Sequence, residues 1–110
     1  MKIVTAAEGR YMGLIARLPC VVCVRLGQPS GPVQVHHVAE GSGLRSNFAV
    51  APLCIEHHDP DRTGSGLHGM GVQRFCLIFK VPGLTEYGLL VWTAEELEKL
   101  ISSKGLARAA

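Results

Sequence analysis

Pro52-Leu53-Cys54-Ile55-Glu56-His57-His58 completes a run of ligand-bearing residues that starts at Leu18-Pro19-Cys20-Val21-Val22-Cys23. Between them lies Val35-His36-His37-Val38, and after them comes Leu67-His68-Gly69. All 5 histidines and three of the 4 cysteines therefore fall between Cys20 and His68. Cys-x2-Cys followed by Cys-x2-His offers four soft donors at spacings that suit tetrahedral zinc. One such pair alone is as readily two buried thiols; the second pair moves the reading to metal. Cys20, Cys23, Cys54 and His57 are thus the expected zinc ligands, although His58 has the same reach as His57. His36, His37, His58 and His68 exceed what a structural zinc needs, which points to a second, chemical site.

A chain of 110 residues has room for one hydrophobic core, and at that size a zinc staple adds useful stability. We expect a single domain over residues 1–110, with its core at about 18–80 and a C-terminal strand and helix over 86–104. A net charge of +2 neither demands nor excludes nucleic acid. Met1-Lys2-Ile3-Val4-Thr5 does not open a signal peptide, and no apolar run reaches the ~18 residues of a membrane span. The expected location is a reducing cytoplasm, where closely spaced cysteines bind metal and do not pair as disulfides. Cys76, inside the apolar run Arg74-Phe75-Cys76-Leu77-Ile78-Phe79, reads as a small buried hydrophobe.

Apolar residues at Tyr11, Leu14, Ile15 and Leu18 follow a helical period and predict a helix over Ala6–Leu18 that Pro19 ends. Cys20–Cys23 is then a knuckle and Arg25–Pro32, with two glycines and two prolines, a loop. Val33–Val38 alternates as a short strand ending at the histidine pair. Phe48–Leu53 is a second strand with Pro52 at its end or edge. Ala39–Ser46 and Asp59–Gly66 read as loops, Cys54–His58 as the start of a helix or tight turn, and Gly71–Phe79 as a helix stopped by Pro82-Gly83. Glu86–Trp92 is expected to be a short strand, with Trp92 and Tyr87 as core residues. Thr93-Ala94-Glu95-Glu96 has the spacing of a capping box for a last helix over Ala94–Ser103 that stops at Gly105. That helix carries Leu97, Leu100 and Ile101 on one face, and Leu106–Ala110 reads as a frayed tail.

The order strand, His-His, loop, strand, Cys-x2-His-His, helix resembles the ββα-metal (His-Me finger) fold of HNH endonucleases. It is most similar to phage-type members such as the phage recombination-enhancement nuclease, which carry LPC-x2-C, HH, PLC-x2-HH and a later His-Gly. The quoted pieces cover Leu18–Gly69. The resemblance implies an α+β, zinc-stabilised core with flanking N- and C-terminal helices. It also implies metal-dependent hydrolysis of DNA phosphodiesters, by an enzyme of phage or prophage recombination or DNA processing.

In that family the first histidine of the opening pair binds the catalytic ion and the second is the general base. By resemblance His36 is a ligand and His37 the base, while His58 and His68 join His36 around one divalent ion, Mg²⁺, Mn²⁺ or another. The motif's middle residue is usually an asparagine that orients the base. Asn47 is the only asparagine in the chain, and it reads equally as a loop residue before a strand. A neutral imidazole, with a pKa near 6.5, suits proton abstraction at physiological pH. Arg45, Arg62 and Arg74 bracket the histidine-rich region and can hold phosphates, though each is also an ordinary surface charge. DNA is the expected partner, with a recombination or replication protein beside it. The rival reading is a non-catalytic zinc-knuckle module that binds nucleic acid or protein.

Overall fold

The computed structural model describes residues 3–39 and 45–103. Its helices and strands run α1 Ala6–Ile15, α2 Val21–Leu26, β1 Val33–His37, β2 Val50–Cys54, α3 Ile55–His58, α4 Leu67–Met70, α5 Val72–Phe79 and α6 Gly88–Ser103, with a 3₁₀ turn at Pro82–Leu84. The expected loop at Ala39–Ser46 lies partly outside the described residues, and Gly105 and the Leu106–Ala110 tail lie wholly outside them. The protein is a small α+β unit.

Helix α1 opens on a complete capping box. Glu8 donates its amide to the Thr5 hydroxyl, 3.1 Å, and the Glu8 carboxylate accepts from the Thr5 amide, 2.7 Å. The helix ends at Ile15, short of the expected Leu18, where two tighter backbone bonds, Arg17 to Leu14 and Leu18 to Ile15, wind the chain into a turn. Ile15 and Leu18 stay buried beside Val50, so the predicted stripe does its packing even where the helix has ended. After Pro19 the knuckle continues as α2 through Leu26, further than expected. Gly27 then stops it at φ 69°, a left-handed position natural for glycine.

Strands β1 and β2 pair antiparallel, with His36 opposite Ala51 and His37 opposite Val50. A sheet of only two strands leaves both as edges, which is why Pro52 is tolerated inside β2. All five residues of β2 are buried, because α1, α2, α3 and α6 all pack against that strand. It is the spine of the molecule. The main core joins Val21, Val22, Leu53, Phe75, Leu89 and Trp92 around it.

The segment expected to be a strand at Glu86–Trp92 is helical from Gly88 onward, and α6 runs unbroken to Ser103. Its buried positions, Leu89, Trp92, Thr93 and Glu96, recur with the three- and four-residue steps of a helix. The apolar run Gly88–Trp92 was ambiguous by composition, and tertiary burial resolved it. Thr93 consequently sits inside the helix, its hydroxyl donating to the Leu89 carbonyl, 2.7 Å, and not at a helix start. Trp92 is buried as expected, whereas Tyr87 is 47% exposed and is not a core residue. Cys76 is fully buried. Among the described residues no helix is long and apolar enough to cross a membrane.

Candidate metal centres

Two ligand clusters emerge from this arrangement, and neighbouring residues of α3 divide between them. Cys20 and Cys23 come from the start of α2, Cys54 from the end of β2 and His57 from α3; all four are buried. The His57 Nδ1 lies 3.6, 3.5 and 3.2 Å from the sulfurs of Cys20, Cys23 and Cys54, and the Cys23 and Cys54 sulfurs are 3.8 Å apart. An ion with metal–sulfur bonds of about 2.3 Å and a metal–nitrogen bond of about 2.0–2.1 Å requires tetrahedral edges of about 3.8 Å and about 3.6 Å. The donor set and spacing therefore fit a Cys₃His metal site such as zinc. It is His57, not His58, that turns inward.

The surroundings hold the thiol cluster closed. The Cys20 amide donates to the Ser30 hydroxyl, 2.8 Å, and the Gln28 side-chain amide donates to the Cys23 sulfur, 3.6 Å. Phe79 meets the His57 ring edge-on with centroids 5.2 Å apart, and Phe75 backs Phe79 at 4.7 Å. Burial pushes the Cys20 thiol up to about 12 and raises Cys23 as well. Metal binding must therefore displace protons that burial has made reluctant to leave.

The second cluster is His36, His58 and His68. His36 Nδ1 and His68 Nε2 lie 3.3 and 3.1 Å from His58 Nε2. Nitrogens sharing one ion at about 2.1 Å sit about 3.0 Å apart in octahedral and about 3.4 Å apart in tetrahedral coordination. The three imidazoles fit such an ion. They grade from buried (His36) through half-buried (His58) to exposed (His68), so the site opens to solvent on the His68 side. His58 is lowered to about 4 by burial first and then by the neighbouring His36 and His68; His68 is lowered by burial, then by His36 and Arg62. Both rings are thereby kept neutral, the form that binds metal.

His68 stands on the one-turn helix α4, directly after the expected loop at Asp59–Gly66. Its placement depends on Asp59, whose carboxylate accepts from the Thr63 amide, 2.7 Å, the Thr63 hydroxyl, 2.8 Å, and the amides of Gly64, 2.9 Å, and Gly66, 3.2 Å. Burial disfavours that charge, and the hydrogen bonds from Thr63, Gly64 and Gly66 outweigh it, holding the carboxyl well below the usual range. A Cβ at Gly66 would run into the backbone of His57 and Glu56, and one at Gly69 into the Asp59 carboxylate. Both glycines flank His68 because the loop is folded tightly onto α3.

Two rings in the trio have their tautomers set by partners that sequence reading did not single out. His36 Nε2 faces the Glu86 carboxylate at 2.5 Å, and His58 Nδ1 faces the Gln34 side-chain oxygen at 2.6 Å. Both oxygens accept, so each ring nitrogen there carries its proton and the opposite nitrogen keeps a lone pair for the cluster. Glu86 is 50 residues from His36, and no local spacing marks it.

His37 points elsewhere, as strand alternation requires. Its Nε2 lies 2.8 Å from Asn47 Oδ1, and Asn47 Nδ2 donates to Glu8 Oε2, 3.2 Å. A carboxylate can only accept, so Asn47 must show it the NH₂ group and turn its oxygen to His37. His37 then donates from Nε2 and keeps its lone pair on Nδ1. The pairing of the lone asparagine with the second histidine is thus present, and Glu8 is an addition to it. Of the three arginines, Arg62 lies near enough for its charge to act on His68. Arg45 and Arg74 are exposed, Arg74 on α5.

No solved structure matches the chain. The family described as recombination enhancement, RecA-dependent nuclease, matches residues 4–98, a span that includes both clusters, His37 and Asn47. The chain belongs to this family of RecA-dependent nucleases, and it is therefore an enzyme.

Proposed function

We propose that this nuclease is an HNH-type DNA endonuclease or nickase that forms one ββα-metal domain. In this reading Cys20, Cys23, Cys54 and His57 hold a structural zinc, while His36, His58 and His68 hold a catalytic divalent ion, with His37 as general base. The observation that carries it is the division of labour across one strand end. His36 gives its lone pair to an imidazole cluster, and the adjacent His37 keeps its own on Nδ1, oriented by Asn47.

The chemistry follows from those roles. His37 Nδ1 takes a proton from water as its oxygen attacks phosphorus and the phosphorus–oxygen bond to the leaving strand breaks. Asn47 keeps the ring in the tautomer that can accept and supports Nε2–H as positive charge builds on the imidazole. An ion at the three histidines supplies charge neutralisation for the phosphate and the departing oxygen. Arg62, Arg45 and Arg74 are the proposed phosphate contacts along the DNA backbone. The family description couples the nuclease to RecA, so the working partners are DNA and RecA, in the cytoplasm of a bacterial host carrying the phage or prophage gene.

Nicking of supercoiled plasmid by zinc-loaded protein tests this, with Mg²⁺ or Mn²⁺, with EDTA, with and without RecA, and with His37→Ala alongside. Metal-dependent nicking lost in the variant is the expected result. No cleavage by folded protein in any metal, RecA present, would overturn it in favour of a binding module. Undiminished cutting by His37→Ala would overturn the base assignment alone.

A further inference from the structure

Glu86 is 5% exposed, yet it arrives from far along the chain, on the lead-in to α6, whose first turn its backbone carbonyl starts by accepting from the Leu89 amide, 3.0 Å. A buried carboxylate is costly unless it is well paired. Glu86 pairs with His36, the most buried ring of the open cluster, at the nitrogen facing away from it. We propose that Glu86 is a positioning residue for the second metal site: by accepting from His36 Nε2–H it locks the tautomer whose Nδ1 lone pair faces His58 and His68, and so raises divalent-ion affinity. This rests on reading the three histidines as an ion site.

The two effects reinforce each other. An ion on Nδ1 withdraws electron density from the ring and makes Nε2–H a better donor to the carboxylate; the carboxylate in turn makes Nδ1 a better ligand. Gln34 makes the equivalent contact to His58 from an exposed position. Water can replace Gln34 there, but it cannot easily replace Glu86 in a buried setting. The same fold thus contains its own control.

The test uses the full chain with zinc in place, titrated with Co²⁺ by calorimetry. The near-ultraviolet spectrum checks that no thiolate–cobalt band develops at the zinc cluster. Nitrogen-15 NMR reads the His36 tautomer before Co²⁺ is added. Wild type should show His36 protonated on Nε2. Glu86→Met, similar in size but with no oxygen acceptor and only a weakly accepting sulfur, should bind Co²⁺ roughly 10- to 100-fold more weakly and show mixed tautomers. Glu86→Gln, whose amide oxygen still accepts, should keep the tautomer and recover most of the affinity, while Gln34→Ala should change little. A merely structural residue would reduce the number of competent sites and leave the dissociation constant unmoved.

The inference is overturned if wild-type His36 is protonated on Nδ1, if Glu86→Met binds Co²⁺ as wild type does, or if Glu86→Gln falls as far as Glu86→Met. If Glu86→Met does not fold, the wild-type tautomer and the Gln variant still decide. Wild type binding no second ion would overturn this inference together with the ion-site reading. A wild type that binds Co²⁺ but never nicks DNA would overturn the proposed chemistry and leave the role of Glu86 standing.

Discussion

The thiol cluster takes Cys54 from β2 and the imidazole cluster takes His36 from β1, and both draw on the same one-turn helix, where adjacent residues, His57 and His58, part company to serve one each. They differ in access. Every donor of the first is buried, with Phe79 against the His57 ring, whereas the second grades out to an exposed His68. Burial disfavours charge in both, with opposite chemical results: Cys20 and Cys23 hold their protons more firmly, and His58 and His68 take one up less readily. A closed tetrad suits a structural ion, and an open set of neutral rings suits an ion that must meet substrate.

The largest effect should come from the closed cluster. Cys20→Ser or Cys54→Ser, or chelation of the metal, should unfold or aggregate the protein, since metal binding and folding are coupled; loss of near-ultraviolet circular dichroism would show it. A Cys54→Ser protein that stayed native under chelator would break the contrast between the sites. His37→Ala should keep the fold and one zinc per chain while cleavage falls by roughly 10²- to 10⁴-fold, as expected for loss of a general base. His58→Ala should likewise keep the zinc but lose the second ion, which metal analysis after dialysis would read.

The pH dependences should run in one direction but fail at different points. Protonation removes a histidine lone pair, so the lowering of His58 to about 4 moves loss of the second ion to more acid conditions. Co²⁺ binding there should persist below the ordinary imidazole value of about 6.5 and fail as the pH nears the lowered value. Zinc affinity should rise with pH across the whole neutral range, because burial holds the Cys20 proton up to about 12 until metal displaces it. Competition with a chromophoric chelator at stepped pH would measure both.

Smaller effects separate α1's cap from its reach towards His37. Thr5→Ala should cost about 1 kcal/mol of stability and leave cleavage unchanged. Glu8→Gln removes a carboxylate that both caps the helix and holds Asn47, so it should lower kcat as well as Tm. Equal kcat in the two variants would show that Asn47 orients His37 unaided. Thr93→Val, a change at a hydroxyl inside α6, should shift Tm least of all.

That last pair shows where sequence reading reached its limit. Thr5-Ala6-Ala7-Glu8 and Thr93-Ala94-Glu95-Glu96 share the T-A-x-E pattern, and only the first opens a helix. The second has cap spacing, but it could act as a cap only if the preceding run, Glu86–Trp92, were not helical. In the folded protein Leu89 and Trp92 face the core with helical spacing, so the helix had already begun. Cap chemistry is local, but whether a cap is used depends on what the preceding residues pack against. Among the ligands, the Cys-x2-Cys and Cys-x2-His spacings and the paired histidines were legible because donor valence and short-range geometry restrict them.

From its sequence alone the chain determined its donor types, the two strands that carry the histidine pair and the second knuckle, and the spacing that lets four of those donors hold a metal such as zinc. Choosing His57 over His58 for the thiols required the direction in which α3 leaves β2. Glu86 and Glu8 became partners of His36 and Asn47 only when α6 and α1 packed against that same strand. Short-range spacing is written in the order of residues, whereas a contact between distant residues exists only after the core has closed and brought the two segments together.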